Sequence, residues 1–270
     1  MSNTSKRIRS AALLIFLIIT TINLGQLATF ILLFIAGMLI IDEIEANFFK
    51  HPRKMTYWFS QILFTVLLFL LLLKLTTPLY FIFWIAAIVL DFSLLYYLFF
   101  VDVETKAFAL MKRIPFLSAI YVFFSFVCLG LLIKDSQWVN LLTLAILIAS
   151  GTDTAAWFVG RHFGKTQLCP IISPKKTREG LYGGMATAGV VATLFYTYRF
   201  HIFSPSLIII FAFLGLISHL GDLVKAKFKR QANIKDSSSL IPGHGGVFDR
   251  LDSIIFLAPF FLIWRHLWLH

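Results

Sequence analysis

Residues 78–100 read PLYFIFWIAAIVLDFSLLYYLFF, and the one charge in that run is Asp91. A helix needs roughly 20 residues to cross the ~30 Å of hydrocarbon in a bilayer, and this run supplies them without interruption. It also lacks the alternation of apolar and polar positions that a membrane barrel strand requires. The run therefore predicts a membrane-spanning helix, and the composition extends that reading to the whole chain. Of its 270 residues 59% are hydrophobic and 14% charged, a balance that a water-soluble surface does not carry.

Runs of the same kind lie at about 10–24, 27–46, 57–75, 115–133, 138–160, 181–199, 204–225 and 253–269. The expected fold class is all-α: a polytopic integral membrane protein with about nine transmembrane helices. The first run follows Lys6, Arg7 and Arg9, the layout of a signal peptide. No small-residue cleavage site follows it, and Asn23-Leu24-Gly25-Gln26 leads straight into the next run, which favours a retained hairpin.

Lysine and arginine gather in alternate loops, and such loops stay in the cytoplasm during insertion. With the N-terminus cytoplasmic, that side holds the tail (Lys6, Arg7, Arg9), Lys50 to Lys54, Lys106 to Arg113, Arg161 to Arg178 and Lys225 to Arg250. The opposite side holds little beyond Lys74, Lys134 and Arg199, and nine spans put the C-terminus there. This topology accounts for much of the +11 net charge, and no nucleic-acid motif accompanies it. Juxtamembrane cations also attract anionic lipid, at about 1 kcal/mol each.

Two cysteines, Cys128 and Cys169, provide neither a disulfide framework nor a zinc cluster. The chain divides into N-terminal helices 1–135 and a C-terminal catalytic region 136–270 with cytoplasmic loops 161–180 and 226–252. No polar segment is long enough to form a soluble domain, so chemistry must sit where loops meet helix ends.

The earlier loop carries Gly160, Gly164, Lys165, Ser173, Pro174, Lys175, Lys176, Thr177, Glu179, Gly180, Gly183 and Gly184. Small residues let backbone amides approach an anion and the lysines supply donors, so it reads as a phosphate cradle or, more plainly, as helix ends with a topology signal. Asp153 lies late in a span, where an ionisable group costs roughly 2.5 to 3.5 kcal/mol and normally faces protein or water with a partner.

The later loop mixes signs in a way topology does not require. Lys229, Arg230, Lys235 and Arg250 offer phosphate donors, and Asp222, Asp236, Asp249 and Asp252 offer hard oxygen ligands suited to magnesium. Asp249 and Asp252 share a face if the segment begins the last helix. Pro242-Gly243-His244-Gly245-Gly246 is a turn whose glycines permit close approach to a ligand. Metal-bound carboxylates beside cations suit phosphoryl or nucleotidyl transfer. Asp42, Glu43 and Glu45, by contrast, read as surface partners of Lys50, Arg53 or Lys54.

These residues resemble the CTP-dependent phosphatidate cytidylyltransferases. The family's signature runs Ser-x-x-Lys-Arg, four residues, Lys-Asp, a small-residue stretch, then Pro-x-His-Gly-Gly-x-x-Asp-Arg-x-Asp. The chain matches it with Lys229-Arg230, Lys235-Asp236, Pro242, His244-Gly245-Gly246, Asp249-Arg250 and Asp252. Ser173, Pro174, Lys176, Thr177, Glu179 and Gly180 resemble the family's Ser-Pro-x-Lys-Thr-x-Glu-Gly segment. Three positions depart: Ala226 stands where the family has serine, Lys225 where it often has an acid, and Trp157 in the earlier loop where it commonly has tyrosine.

The resemblance implies attack of phosphatidate on the α-phosphorus of CTP in the membrane. Asp222, Asp249, Lys229, Arg230, Lys235, Asp236 and Arg250 would be catalytic. Ser173, Lys176, Thr177, Glu179, Gly180, His244, Gly245 and Gly246 would bind substrate or nucleotide. Asp222, Asp249, Asp153 and Asp252 would hold Mg²⁺, with room for a second cation. The implied setting is a bacterial inner membrane with the active site facing the cytoplasm, CTP and phosphatidate as partners, no nucleic acid, and a homodimer allowed. Two alternatives remain: a CTP-dependent kinase or a cytidylyltransferase acting on another membrane lipid, which would use much of the same machinery, and a transporter or scaffold, with Asp91 suited to a transport path. A transporter places its polar residues near the midplane rather than at one face.

Overall fold

The computed structural model describes residues 3–52, 55–72, 77–101, 113 and 117–268. Within them the chain forms α1 (Asn3–Leu24), α2 (Gln26–Glu43), a π-helical turn (Ile44–Phe48), α3 (Met55–Leu72), α4 (Thr77–Phe100), α5 (Leu117–Ile133) and α6 (Trp138–Phe163). Strands β1 (Gln167–Cys169) and β2 (Ser173–Thr177) follow, then α7 (Arg178–Phe200), α8 (Pro205–Gln231) and α9 (Phe248–Trp268). Within the described residues each apolar run overlaps one of these helices, the second continuing into the π-helical turn; residues 73–75, 115–116 and 269 of the runs lie outside the described residues. Among the described residues five helices are both long and apolar enough to cross a bilayer: Arg7–Leu24, Gln26–Phe48, Phe81–Phe100, Trp138–Phe163 and Pro205–Gln231. The protein is an all-α integral membrane protein.

The chain forms two compact units. One contains residues 1–93, 100–134 and 228–251; the other contains 94–99, 135–227 and 252–270. The segment 228–251 thus groups with the N-terminal helices. The cause is a set of polar contacts described below.

In the first unit α2 packs on α3 and α5. Its Gly37 lets the helices meet: a Cβ there would lie 2.3 Å from the Phe64 ring. Phe64 is fully buried, stacks on Phe34 at 6.0 Å and meets Phe126 edge-on at 5.9 Å. Gly25 joins α1 to α2 with φ of 101°, a conformation that glycine adopts without strain. Large apolar side chains such as Phe16, Phe59, Phe81 and Phe92 stay on the surface, as lipid-facing residues do.

In the second unit small residues set the helix spacing, since in lipid close backbone approach replaces the hydrophobic drive. A Cβ on Gly180 would lie 2.6 Å from Ala156 O, one on Gly184 2.8 Å from Thr152 O, and one on Gly221 2.5 Å from Phe256. Gly180 and Gly184 thus admit the backbone of α6. Away from these glycines, Tyr196, Phe211, Phe261 and Trp264 form a buried aromatic core.

The segment read as a loop before α7 contains an antiparallel hairpin, pairing Gln167 with Thr177 and Cys169 with Ser173. Its Ser-Pro-Lys-Lys-Thr strand shows no alternation that would have announced it. Thr177 ends β2 and caps α7, its Oγ accepting from Gly180 N at 3.1 Å. Glu179 reaches back to Lys165 N at 3.1 Å and Thr166 N at 3.2 Å. These bonds, with that of its own amide largest, hold the Glu179 carboxyl down to about 2. Thr177→Ala removes the cap and is expected to destabilise the protein by about 1 kcal/mol. A thermal-inactivation series in detergent measures this against Thr177→Ser, which keeps the hydroxyl.

Candidate active site

The expected residues fall into two clusters, one in each unit. In the second unit Asp222 lies on α8 between two ammonium groups: Lys176 from β2 at 2.6 Å on Oδ2, and Lys225 at 2.9 Å on Oδ1. Lys225 also reaches Asp252 Oδ2 at 2.5 Å. Lysine and carboxylate therefore alternate through Lys176, Asp222, Lys225 and Asp252. Asp153 joins the cluster through Ser253, whose Oγ stands 3.5 Å from its Oδ2, and it lies in electrostatic reach of Asp222, Lys176 and Lys225.

The fold explains why these side chains meet. Gly221 lets α8 and α9 touch, which aligns Lys225 with Asp252, and the β hairpin carries Lys176 over Asp222. Lys225 and Asp252 are almost wholly buried, their side chains 7% and 6% exposed. Burial on that scale requires pairing, and the chain supplies it.

His219 had no part in the sequence reading. It lies one turn before Asp222 on α8, buried, and neither ring nitrogen finds a hydrogen-bond partner among the described residues. Its neighbours include Lys176 and Asp222. Lys227, on the same helix, is a structural cation: it donates to Tyr97 O at 2.6 Å and Leu98 O at 3.1 Å, close to the end of α4.

In the first unit Asp249 opens α9. Its Oδ1 takes Lys229 at 2.9 Å, and its Oδ2 accepts Ser237 N at 2.8 Å, Ser237 Oγ at 3.0 Å and Gly246 N at 3.2 Å. Such a carboxylate is fixed in orientation from both sides. The glycines are required here. Gly243 and Gly245 have φ of 77° and 81°, and a Cβ on Gly246 would lie 2.0 Å from Ser237 Oγ. The turn itself closes through a bridge between Ile241 and Gly245.

Glu43 corrects the sequence reading most sharply. It does not sit on the surface beside Lys50; Arg53 and Lys54 lie outside the described residues. It is buried and accepts from Ser237 Oγ (2.9 Å), Ser238 Oγ (2.7 Å), Val247 N (2.8 Å) and Phe248 N (2.9 Å). It thereby caps α9 from a distant helix and braces the hydroxyl that Asp249 also accepts. With Asn47 Nδ2 on Ser237 O at 2.7 Å, it ties 228–251 to the N-terminal helices. Glu45 is likewise buried, held by Ser118 and by His51 at 2.5 Å, and Asp42 accepts from Tyr57 at 2.7 Å.

α1 also reaches the turn. Arg7 Nε donates to Gly243 O at 3.0 Å, and Ser10 Oγ lies 2.9 Å from Pro242 O, 3.1 Å from Arg7 O and 2.7 Å from His244 Nδ1. Burial, then Arg250 and Arg7, push the imidazole pKa below its ordinary value.

Arg230, Lys235, Asp236 and Arg250 are exposed. Ser173 is part of the hairpin, and Thr177, Glu179 and Gly180 are engaged in capping and packing as described. Asp153, Asp222 and Asp252 have the oxygen donors a divalent cation prefers, but Lys225 now holds two of them. Among the described residues no three His, Cys, Asp or Glu side chains stand together as a ready metal site.

The chain is similar over part of its length to known proteins. A stretch of 127 residues is 42% identical to a phosphatidate cytidylyltransferase of Bacillus subtilis (strain 168), covering 47% of each chain. A stretch of 154 residues is 37% identical to one from Staphylococcus saprophyticus, covering 55% of this chain and 59% of that one. A stretch of 142 residues is 40% identical to one from Pseudomonas aeruginosa, covering 51% and 52%. The chain spans about half the length of the curated relatives it matches. The model of the cytidylyltransferase family, in contrast, matches residues 5–268, and the chain belongs to that family.

Proposed function

We propose that the protein transfers the cytidylyl group of CTP to phosphatidate, giving CDP-diacylglycerol and pyrophosphate. The observation that carries this reading is the alternating chain Lys176, Asp222, Lys225, Asp252, because such a site must place cations against phosphate oxygens. The relatives named above are phosphatidate cytidylyltransferases, which supports the same substrates for this chain.

In the reaction a phosphate oxygen of phosphatidate bonds to the α-phosphorus of CTP, and the bond from that phosphorus to the bridging oxygen of pyrophosphate breaks. The attacking oxygen is ionised near neutral pH, so positioning and charge neutralisation outweigh base catalysis. In the second unit Lys176, held by Asp222, offers a donor to phosphate oxygens. In the first unit Lys229, held by Asp249, does the same, with Arg230, Lys235 and Arg250 as exposed donors and His244 to line a nucleotide.

Magnesium, when bound, would neutralise triphosphate charge; Asp222, Asp252 and Asp153 would hold it in one unit, and Asp249 stands in the other. The alternation of Lys- and Arg-rich loops supports a cytoplasmic site, where CTP is found, in a bacterial inner membrane. The test is stoichiometry. Purified protein with phosphatidate in detergent micelles should release one pyrophosphate per CTP consumed, and none without phosphatidate. Release of CDP with phosphorylated lipid would indicate a kinase instead.

A further inference from the structure

Lys225 is a basic side chain set between two carboxylates of different helices, and the structure shows what it does there. The ammonium lies 2.9 Å from Asp222 and 2.5 Å from Asp252 in a nearly buried setting. Two carboxylates that converge on one point from α8 and α9 are a natural seat for a cation, and here that seat is taken by a side chain. Lys176 keeps a separate hold on the other oxygen of Asp222, and Asp153 stands nearby. Three carboxylates against two ammonium groups leave one negative charge; without Lys225 there would be two, the complement of a divalent ion.

We propose that the Lys225 ammonium competes with a divalent cation for Asp222 and Asp252 and so sets how weakly this chain holds that ion before nucleotide binds. The ammonium is tethered three residues from Asp222 on the same helix, so its effective concentration at the pair is high and fixed. A free ion must displace it or share the carboxylates with it, and sharing brings like charges within a few Å in a medium of low dielectric. Ala226, with no hydroxyl, adds no oxygen ligand that could draw the ion in. Why a divalent ion should come to this pair rests on the cytidylyl-transfer reading, but its binding does not depend on turnover.

The experiment titrates Mn²⁺ alone into the purified full-length chain in detergent and reads free ion by electron paramagnetic resonance. Lys225→Gln should bind Mn²⁺ at least tenfold more tightly than the unaltered protein. Lys225→Arg, which keeps the charge, should bind as the unaltered protein does. Adding Asp222→Asn to Lys225→Gln should abolish the gain. If Lys225→Gln gives no gain, or Lys225→Arg gains equally, the inference is overturned.

A second measurement needs no variant. Reductive methylation of Lys225 in the unaltered protein, quantified by mass spectrometry, should rise when Mn²⁺ saturates the protein and expels the amine. Unchanged labelling would overturn the inference even if Lys225→Gln did not fold. Absence of cytidylyl transfer together with a tenfold gain would overturn the proposed function and leave this inference standing.

Discussion

Asp222→Asn should lower cytidylyl transfer by about a hundredfold or more, the scale lost when one electrostatic element of a reactive site is removed. Asp222 faces Lys176 at 2.6 Å and Lys225 at 2.9 Å, in positions 17% and 7% exposed. An amide cannot balance either. Lys225 retains Asp252, whereas Lys176 loses the carboxylate that aims it. Breaking a buried pair from one side commonly costs several kcal/mol, because a charge remains without its partner. Asp222→Glu keeps the charge and should recover part of the rate. Initial rates on protein of unchanged helix content decide the matter, and an asparagine variant with more than half the normal rate would remove this cluster from the chemistry.

Glu43→Ala should be the most destabilising single change in the first unit, at about 3 kcal/mol or more. Four donors converge on this buried carboxylate: the Ser238 hydroxyl, the Ser237 hydroxyl whose single proton is shared with Asp249, and the amides of Val247 and Phe248 at the start of α9. A hydrogen bond to a charged group contributes about 1.5 to 3 kcal/mol, and buried donors left unsatisfied add to the cost. Ser237 would keep only Asp249 as acceptor, so the turn at Gly243 to Gly246 should loosen as well. Glu43→Gln retains one carbonyl oxygen and should fall between. Midpoints of thermal inactivation in detergent measure both; an alanine variant that inactivates with the unaltered protein would show that this segment is held by other contacts.

Much of the architecture was legible in the sequence because lipid imposes a simple rule on length and polarity. Hydropathy nevertheless marks the apolar part of a helix, not the helix. The run read as 204–225 belongs to Pro205–Gln231, since Lys227, Phe228, Lys229, Arg230 and Gln231 continue the helix past the apolar boundary. Likewise α9 begins at Phe248 rather than 253, with Asp249 in its first turn.

The site was legible in part. Asp222, Asp249 and Asp252 announced themselves as carboxylates beside cations, and the structure gives each a lysine partner. Glu43 was misread because its partners lie 194 to 205 residues away and include two backbone amides, which no side-chain pattern reveals. The glycines near residue 180 were ambiguous for a related reason. Close approach to an anion and close approach to a helix both require a missing Cβ, and only coordinates show which surface arrives. His219 gave no signal beyond being a histidine in an apolar run.

The most direct measurement follows label from CTP into lipid. Purified protein is incubated with phosphatidate, Mg²⁺ and CTP labelled at either the α- or the γ-phosphorus, and the lipid is extracted. Cytidylyl transfer predicts that α-label enters the lipid fraction while γ-label leaves as pyrophosphate; γ-label in the lipid with none from the α-phosphorus would contradict it.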